Sequence, residues 1–306
     1  MVLHCIVDFS YLYYKYKFQL EAGYLKRLNA EVNGEERDIS NIYYPIRELM
    51  SFRRKFENEG KKVISSICFD TPSIIRKSEG TESAEVYKAN RVSKLTSDDI
   101  DNIREIEKML STAGYNTYRF EGYEADDIIA ELVRVYKDCF DFNVIYTPDM
   151  DLAVHISDNV SLQRYKAGKG YTEISLGTYN TLLSQECKCD VPYNSIVLYK
   201  ITVGDKSDNI KGIQKFGVKA FDKLVNYLND KKLNWPMLSN YNNVGMILDY
   251  LKSTDYFTDV QYEQAKEALE LVKSMPFEIE LQKPEKESTV ILRESAFKEM
   301  GMNSLI

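Results

Sequence analysis

No stretch of this sequence is apolar over the roughly 20 residues that a bilayer-spanning helix needs. Its opening, MVLHCIVDFS, also lacks the charged-then-apolar layout of a secretion signal. Membrane and secreted classes are thereby set aside, and a cytoplasmic protein is expected. Cysteine is sparse and odd in number at five, which argues against a disulfide framework. Cys187 and Cys189 fall close together, yet no second pair and no nearby histidine completes a zinc site. Histidine is scarcer still; His4 and His155 lie in or beside apolar runs and read as packing residues. The 23 tyrosines are too dispersed to define a stacking platform. Internal repeats and low-complexity linkers are absent too.

What remains is an ordinary globular composition, with 44% hydrophobic and 28% charged residues over 306 positions, enough for about two domains with conventional cores. The net charge of −7, taken whole, argues against a nucleic-acid partner. Its distribution does not: from Lys200 to Lys232 eight lysines face Asp205, Asp208, Asp222 and Asp230.

Three apolar runs read as buried strands that end in aspartate: residues 2–8, 63–70 and 143–149, ending at Asp8, Asp70 and Asp149. Between them lie two helical patterns. In the first, Ile100, Ile103, Ile106, Leu110 and Ala113 are helically spaced, with Thr96 and Ser97 as caps and Gly114 as the stop. The second spans 124–137. Strands alternating with helices predict an α/β fold, a mainly parallel sheet with helices on both faces. Ligands of such sheets sit beyond the carboxyl ends of the strands, so the three terminal aspartates are expected to meet. Residues 73–94 are charged and lack apolar periodicity, which predicts an exposed crossing segment. A hairpin is expected over 161–176, and from about 186 the chain reads as helical, notably at 194–203, 217–228 and 259–274. The boundary is placed near 185. The strand-like TVILRES at 289–295 reads as structural.

Further acids cluster in Glu124-Ala125-Asp126-Asp127, Asp149-Met150-Asp151 and Asp205-x-x-Asp208. So many anions cannot share one pocket without cations, because close like-charge pairs force protonation. Oxygen ligands of this kind suit Mg²⁺ or Mn²⁺. Two such ions about 4 Å apart can activate water and stabilise the leaving oxygen in phosphodiester hydrolysis. Taken singly, any one of these acids is better explained as a helix cap or a solvated loop residue, but three apolar strands ending in aspartate and three acidic clusters together favour a metal site.

Six segments in a fixed order carry a resemblance: IVDFSYLYY at 6–14, CFD at 68–70, YKANR at 87–91, YEADDIIA at 123–130, YTPDMDL at 146–152 and GDKSDNIKGIQKFGVKA at 204–220. The chain resembles the 5′-nuclease superfamily of flap endonucleases, stand-alone phage 5′-exonucleases and the 5′-nuclease domain of bacterial DNA polymerase I. The resemblance implies a PIN-like nuclease core over 1–185, with an arch at about 73–94. It further implies a helical region over 186–306 with a helix-three-turn-helix (helix-hairpin-helix) element at about 204–228. It implies a metal-dependent 5′-3′ exonuclease or flap endonuclease acting near junctions of branched, nicked or 5′-ended DNA, in replication or repair. RNA–DNA hybrid is a further expected substrate. Asp8, Asp70, Glu124, Asp126, Asp127 and Asp149 would surround one metal ion, and Asp151, Asp205 and Asp208 would hold a second, with Asp70 and Asp149 among the catalytic groups. Lys88 and Arg91 would stabilise charge on the scissile phosphate, Tyr87 would stack on an unpaired base, and Arg76 would guide the single strand. Gly212, Gly217 and Lys219 would meet duplex phosphates. Lys215 stands where the family usually has glycine, and Gln214 where it often has proline, which touches the hairpin geometry, any phosphate contact from Lys215, and any monovalent-ion site there. A monomer is expected, in the host cytoplasm if the chain is phage-encoded. Two readings compete with this one: a PIN-type ribonuclease, and a non-catalytic module that binds branched DNA.

Overall fold

The computed structural model describes residues 1–71, 95–166, 170–239, 241–274 and 279–305. The expected arch, with Arg76, Tyr87, Lys88 and Arg91, lies outside the described residues, as does the hairpin tip at 167–169. The described chain packs as two compact units. One comprises 1–71, 95–147 and 279–305, the other 148–166, 170–239 and 241–274. Packing therefore divides the chain elsewhere than near 185, and its last described stretch returns to the first unit.

In the first unit, β1 (Val2–Asp8) leads into α1 (Phe9–Glu21), a small hairpin of β2 (Asn29–Val32) and β3 (Glu35–Asp38), α2 (Ser40–Asn58) and β4 (Lys62–Cys68). After the undescribed segment come α3 (Ser97–Thr112), β5 (Asn116–Tyr118), α4 (Ala125–Tyr136) and β6 (Phe142–Tyr146). The strands lie in the order β5-β4-β1-β6, all parallel. Leu3, Cys5 and Val7 alternate into a core with Leu12, Ile46, Leu49, Ile106 and Leu110 from α1, α2 and α3. From the other face α4 packs across β1 and β4, burying Ile128, Ile129, Leu132 and Val133. Each fully buried aliphatic side chain contributes about 2 kcal/mol. The expected helices on both faces of a parallel sheet are thus present.

Local signals explain the helix ends. Thr96 caps α3 through a reciprocal capping box with Asp99, and Gly114, at φ +83°, ends the turn beyond it. Ile100 departs from the expected apolar stripe and is 42% exposed. The buried position in that first turn belongs to Asp99, which accepts the Tyr13 hydroxyl at 2.8 Å and pairs with Lys17 at 2.9 Å. An ion pair sealed against α1 fixes the rotation of α3 there, and Ile100 faces solvent.

Residues 279–305 strap the first unit. Asn116 accepts the backbone N–H groups of Glu285 and Lys286 and donates to the carbonyl of Lys286. The buried guanidinium of Arg53 donates to the carbonyl of Ser288 at 3.0 Å. TVILRES is not a strand: Thr289 accepts the N–H of Leu292 and caps α10 (Val290–Lys298). The β-branched run misleads because the cap, not residue propensity, starts this helix. Phe297, Met300 and Met302 then enter the core.

The second unit holds an antiparallel hairpin of β7 (Val160–Lys166) and β8 (Gly170–Ile174), as expected, followed by helices. These are α5 (Tyr179–Cys187), α6 (Ile196–Val203), α7 (Val218–Asp230), α8 (Tyr241–Ser253) and α9 (Asp259–Val272). Helix α6 is packed against α7, α8 and α9, which accounts for its nearly uniform apolar sequence, IVLYKITV. Among the described residues no helix is long and apolar enough to cross a membrane.

Candidate metal centre

Asp8, Asp70, Glu124, Asp126 and Asp127 belong to the first unit, and Asp149, Asp151, Asp205 and Asp208 to the second. In the first unit Asp8 ends β1 and caps α1: its Oδ1 accepts the Tyr11 N–H at 3.1 Å. Asp70 and Asp149 lie beyond the last residues of β4 and β6 rather than closing them. Pro148, which has no N–H to donate to a ladder, accounts for the early end of β6. The Asp70 N–H donates to the Ser10 hydroxyl at 2.9 Å, and Asp70 Oδ1 accepts the Ala125 N–H at 2.7 Å. That contact ties the carboxylate to the amino end of α4, where the helix dipole favours negative charge. Glu124 and Asp127 form a capping box: Glu124 N–H donates to Asp127 Oδ2 at 3.1 Å, and the Glu124 side chain accepts in return. These two acids thus carry the helix-cap role that a solitary reading assigns them. Burial raises the Cys68 thiol, and the charges of Asp8, Asp126 and Asp70 raise it further.

In the second unit Asp149, Asp151 and Asp208 each bring a carboxylate oxygen within 4.8 Å of the others. Asp149 Oδ1 accepts the Asp151 N–H at 3.0 Å, and Asp208 is buried. Burial and the adjacent Asp149 push Asp151 up to about 7, against the pull of Lys200. Three carboxylate oxygens converging this closely are a donor set that fits a hard divalent cation.

Asp205 is engaged differently. It accepts Ser207 N–H at 2.8 Å and Ser207 Oγ at 2.6 Å, and it pairs with Lys200 Nζ at 2.6 Å. Burial opposes its ionisation, but Lys200 and Ser207 outweigh burial and hold it below the usual carboxylate range. Lys200 Nζ also contacts Asp151 and stands 3.5 Å from Asp149. Burial alone would depress this lysine; the carboxylates of Asp151, Asp149 and Asp205 reverse that and hold it charged. Lys200 is not among the site residues expected from sequence. A signal was there: it is the one charged residue of IVLYKITV, five positions before Asp205. A lysine in an otherwise buried helix needs carboxylate partners. Ser10 and Thr147 were missed as well, having no charge to draw attention.

The loop after α6 is drawn tight. Gly204 (φ +96°) and Gly212 (φ +65°) back onto each other, and a Cβ at Gly212 would meet Gly204 N at 2.5 Å. At Gly217, the N-cap of α7, a Cβ would meet nothing within 4 Å, so nothing inside the fold calls for glycine there. Lys215 adopts φ +62°, the left-handed conformation that glycine tolerates best, which explains why glycine would suit the position. Lys215 and Lys219 are exposed, and the Gln214 N–H donates to Gln264 Oε1 of α9 at 3.0 Å.

Several known proteins are similar to this chain. The 5′-3′ exonuclease of Mycoplasmopsis pulmonis is 28% identical over 184 residues, 60% of this chain and 54% of that protein. DNA polymerase I of Caldicellulosiruptor bescii is 35% identical over 151 residues, 49% of this chain and 17% of that protein. The chain thus spans about half of the first relative's length and a small part of the second's. The 5′-3′ exonuclease of Buchnera aphidicola subsp. Schizaphis graminum is 27% identical over 247 residues, 78% of this chain and 79% of that protein. Among solved structures, the T5 D15 protein co-crystallised with metal ions aligns with a TM-score of 0.56 at 16% identity, covering 99% of this chain and 95% of that one. The T5 5′-exonuclease with divalent metal ions (zinc) bound aligns with a TM-score of 0.51 at 17% identity, covering 89% of this chain and 100% of that one. At such identities the likeness establishes the fold. The model of the 5′-3′ exonuclease N-terminal resolvase-like domain matches residues 4–180, more than half of the sequence, and on that match the chain belongs to the 5′-3′ exonuclease family.

Proposed function

We propose that this protein is a divalent-metal-dependent, structure-specific 5′-nuclease that hydrolyses phosphodiester bonds near the junction of branched or 5′-ended DNA. The observation that carries the reading is the carboxylate set of Asp149, Asp151 and Asp208, converging within 4.8 Å in a member of this family. The T5 D15 flap endonuclease, of the same fold, has been crystallised with DNA and metal ions, which supports the reading. Bound Mg²⁺ or Mn²⁺, two ions on this proposal, would supply an activated water and neutralise charge at the phosphate. Asp8, Asp70 and Asp126 would hold metal in the first unit, with Glu124 and Asp127 fixing the start of α4 beside them. Asp149, Asp151 and Asp208 would hold metal in the second. Asp205 would act by orienting Lys200.

Lys88 and Arg91 would stabilise charge developing on the phosphate, Tyr87 would stack on an unpaired base, and Arg76 would guide the single strand. Duplex phosphates would meet Lys215, Lys219 and the backbone at Gly212 and Gly217; open space over Gly217 supports close approach there. A monovalent ion at this hairpin, activity on RNA–DNA hybrids, a monomeric state and a cytoplasmic setting belong to the same proposal, as does a functional boundary near 185.

The test is a 5′-flap DNA labelled at each end in turn, incubated with Mg²⁺ or with EDTA, beside Asp149→Asn and Asp151→Asn. Metal-dependent cutting near the junction, lost in Asp149→Asn, is expected. Cutting confined to RNA hairpins would point to a PIN-type ribonuclease. Tight flap binding without cutting in Mg²⁺ or Mn²⁺ would leave a non-catalytic binding module.

A further inference from the structure

Asp8 is gripped at both carboxylate oxygens. Oδ1 accepts the Tyr11 N–H at 3.1 Å, and Oδ2 accepts the hydroxyl of Thr147 at 3.2 Å. Thr147 is fully buried. It follows β6, whose Tyr146 pairs in register with Val7 of β1, so the parallel ladder carries Thr147 to the level of Asp8. The placement is therefore a product of sheet register rather than of a loop. An ionised carboxylate only accepts hydrogen bonds, so the threonine hydroxyl is the donor.

We infer that Thr147 is a positioning residue that sets the rotation of the Asp8 carboxylate for metal binding; this deepens the proposed function and rests on its reading of Asp8 as a metal ligand. The terminal torsion of an aspartate is broad, so a carboxylate held at one oxygen alone can swing. The Tyr11 N–H fixes one oxygen as part of the helix cap. The Thr147 hydroxyl fixes the other. Threonine suits the task because its branched Cβ is stiff about χ1 and holds the hydroxyl aimed. Valine has the same shape and stiffness and no donor. Serine keeps the donor on a looser stem. Partners that orient ligating carboxylates commonly change metal affinity by about 10- to 100-fold when removed.

The experiment measures Mn²⁺ binding to the full chain by isothermal calorimetry, with Asp8→Asn identifying the binding step that depends on Asp8. Thr147→Val is expected to weaken that step by about tenfold or more, leaving the other step unchanged, and Thr147→Ser is expected to recover most of the loss. Half-maximal flap cleavage should need correspondingly more Mn²⁺ in Thr147→Val, while the rate at saturating Mn²⁺ approaches that of the parent protein. Melting curves in EDTA accompany each variant. A Thr147→Val protein that binds Mn²⁺ like the parent overturns the inference, whether or not its melting temperature falls. Cleavage that vanishes in Asp149→Asn while the Asp8-dependent step is undisturbed by valine would leave the proposed function standing and this inference refuted. A parent protein with no Mn²⁺-binding step would remove both.

Discussion

Replacing Lys200 with methionine tests whether a fixed ammonium balances the second acidic group. Methionine preserves much of the side-chain length and all of its burial while deleting the charge. Nζ lies 2.6 Å from Asp205, 3.5 Å from Asp149 and in contact with Asp151. At an effective dielectric of about 20, one unit-charge pair at 4 Å is worth about 4 kcal/mol before desolvation. The neighbouring carboxylates together outweigh the burial of one ammonium, which is why Lys200 stays charged. Deleting one member of a buried ion set leaves the others uncompensated and costs about 3–5 kcal/mol. For a unit of this size that is a fall in melting temperature of roughly 10 °C. The assay is scanning calorimetry in EDTA and again across a Mn²⁺ titration. Lys200→Met should melt well below the parent in EDTA, and Mn²⁺ should raise it by more than it raises the parent, since the ion takes over the missing charge. Equal melting temperatures in EDTA, or equal stabilisation of both proteins by Mn²⁺, would refute the reasoning.

Two further outcomes follow from packing and burial. Gly212→Ala should destabilise the second unit by about 2 kcal/mol or more, because the new Cβ would press on backbone atoms of Val203 and Gly204 at a φ of +65°; denaturant unfolding reads the loss, and an unchanged midpoint would show that the 204–212 loop is not held as described. Burial lowers His4 and His155 from 6.5 to about 4, so both stay neutral when folded while their unfolded counterparts protonate below 6.5. Stability from these groups is then complete above pH 6.5 and lost as pH falls through about 4, by about 3 kcal/mol per histidine. His155→Leu should flatten the slope of unfolding free energy between pH 6.5 and 4.5, and an unaltered slope would count against a neutral, buried His155.

Much of the first unit could be read from residue order alone. Apolar runs of seven or so residues separated by helical periods leave a parallel sheet as the economical solution, and Thr96 and Gly114 mark the limits of α3 unaided. The acids were legible as a set because carboxylates are few in buried runs and these cluster. Their individual partners were not. Glu124 and Asp127 look like ligands in sequence, yet their reciprocal hydrogen bonds appear only once α4 is built. Asp205 and Asp208 are three apart and look equivalent, but one turns to Lys200 and the other joins Asp149 and Asp151. Thr147 has no sequence signature at all, since its contact with Asp8 depends on the pairing of β1 with β6, strands 139 positions apart at that point. Long-range register is what single-chain pattern reading misses. The same blindness hid the strap at 279–305, whose partners Asn116 and Arg53 are distant in sequence.

That strap has a consequence for how the protein comes into being. The first unit is a host interrupted by a guest: its core includes Phe297 and Met302, which are translated after every residue of the second unit. A ribosome therefore delivers the guest complete while the host still lacks part of its interior. A core still lacking its last members leaves apolar surface uncovered, a condition that invites aggregation or chaperone attention. The amino-terminal unit can complete its core only once the last residues of the chain are available.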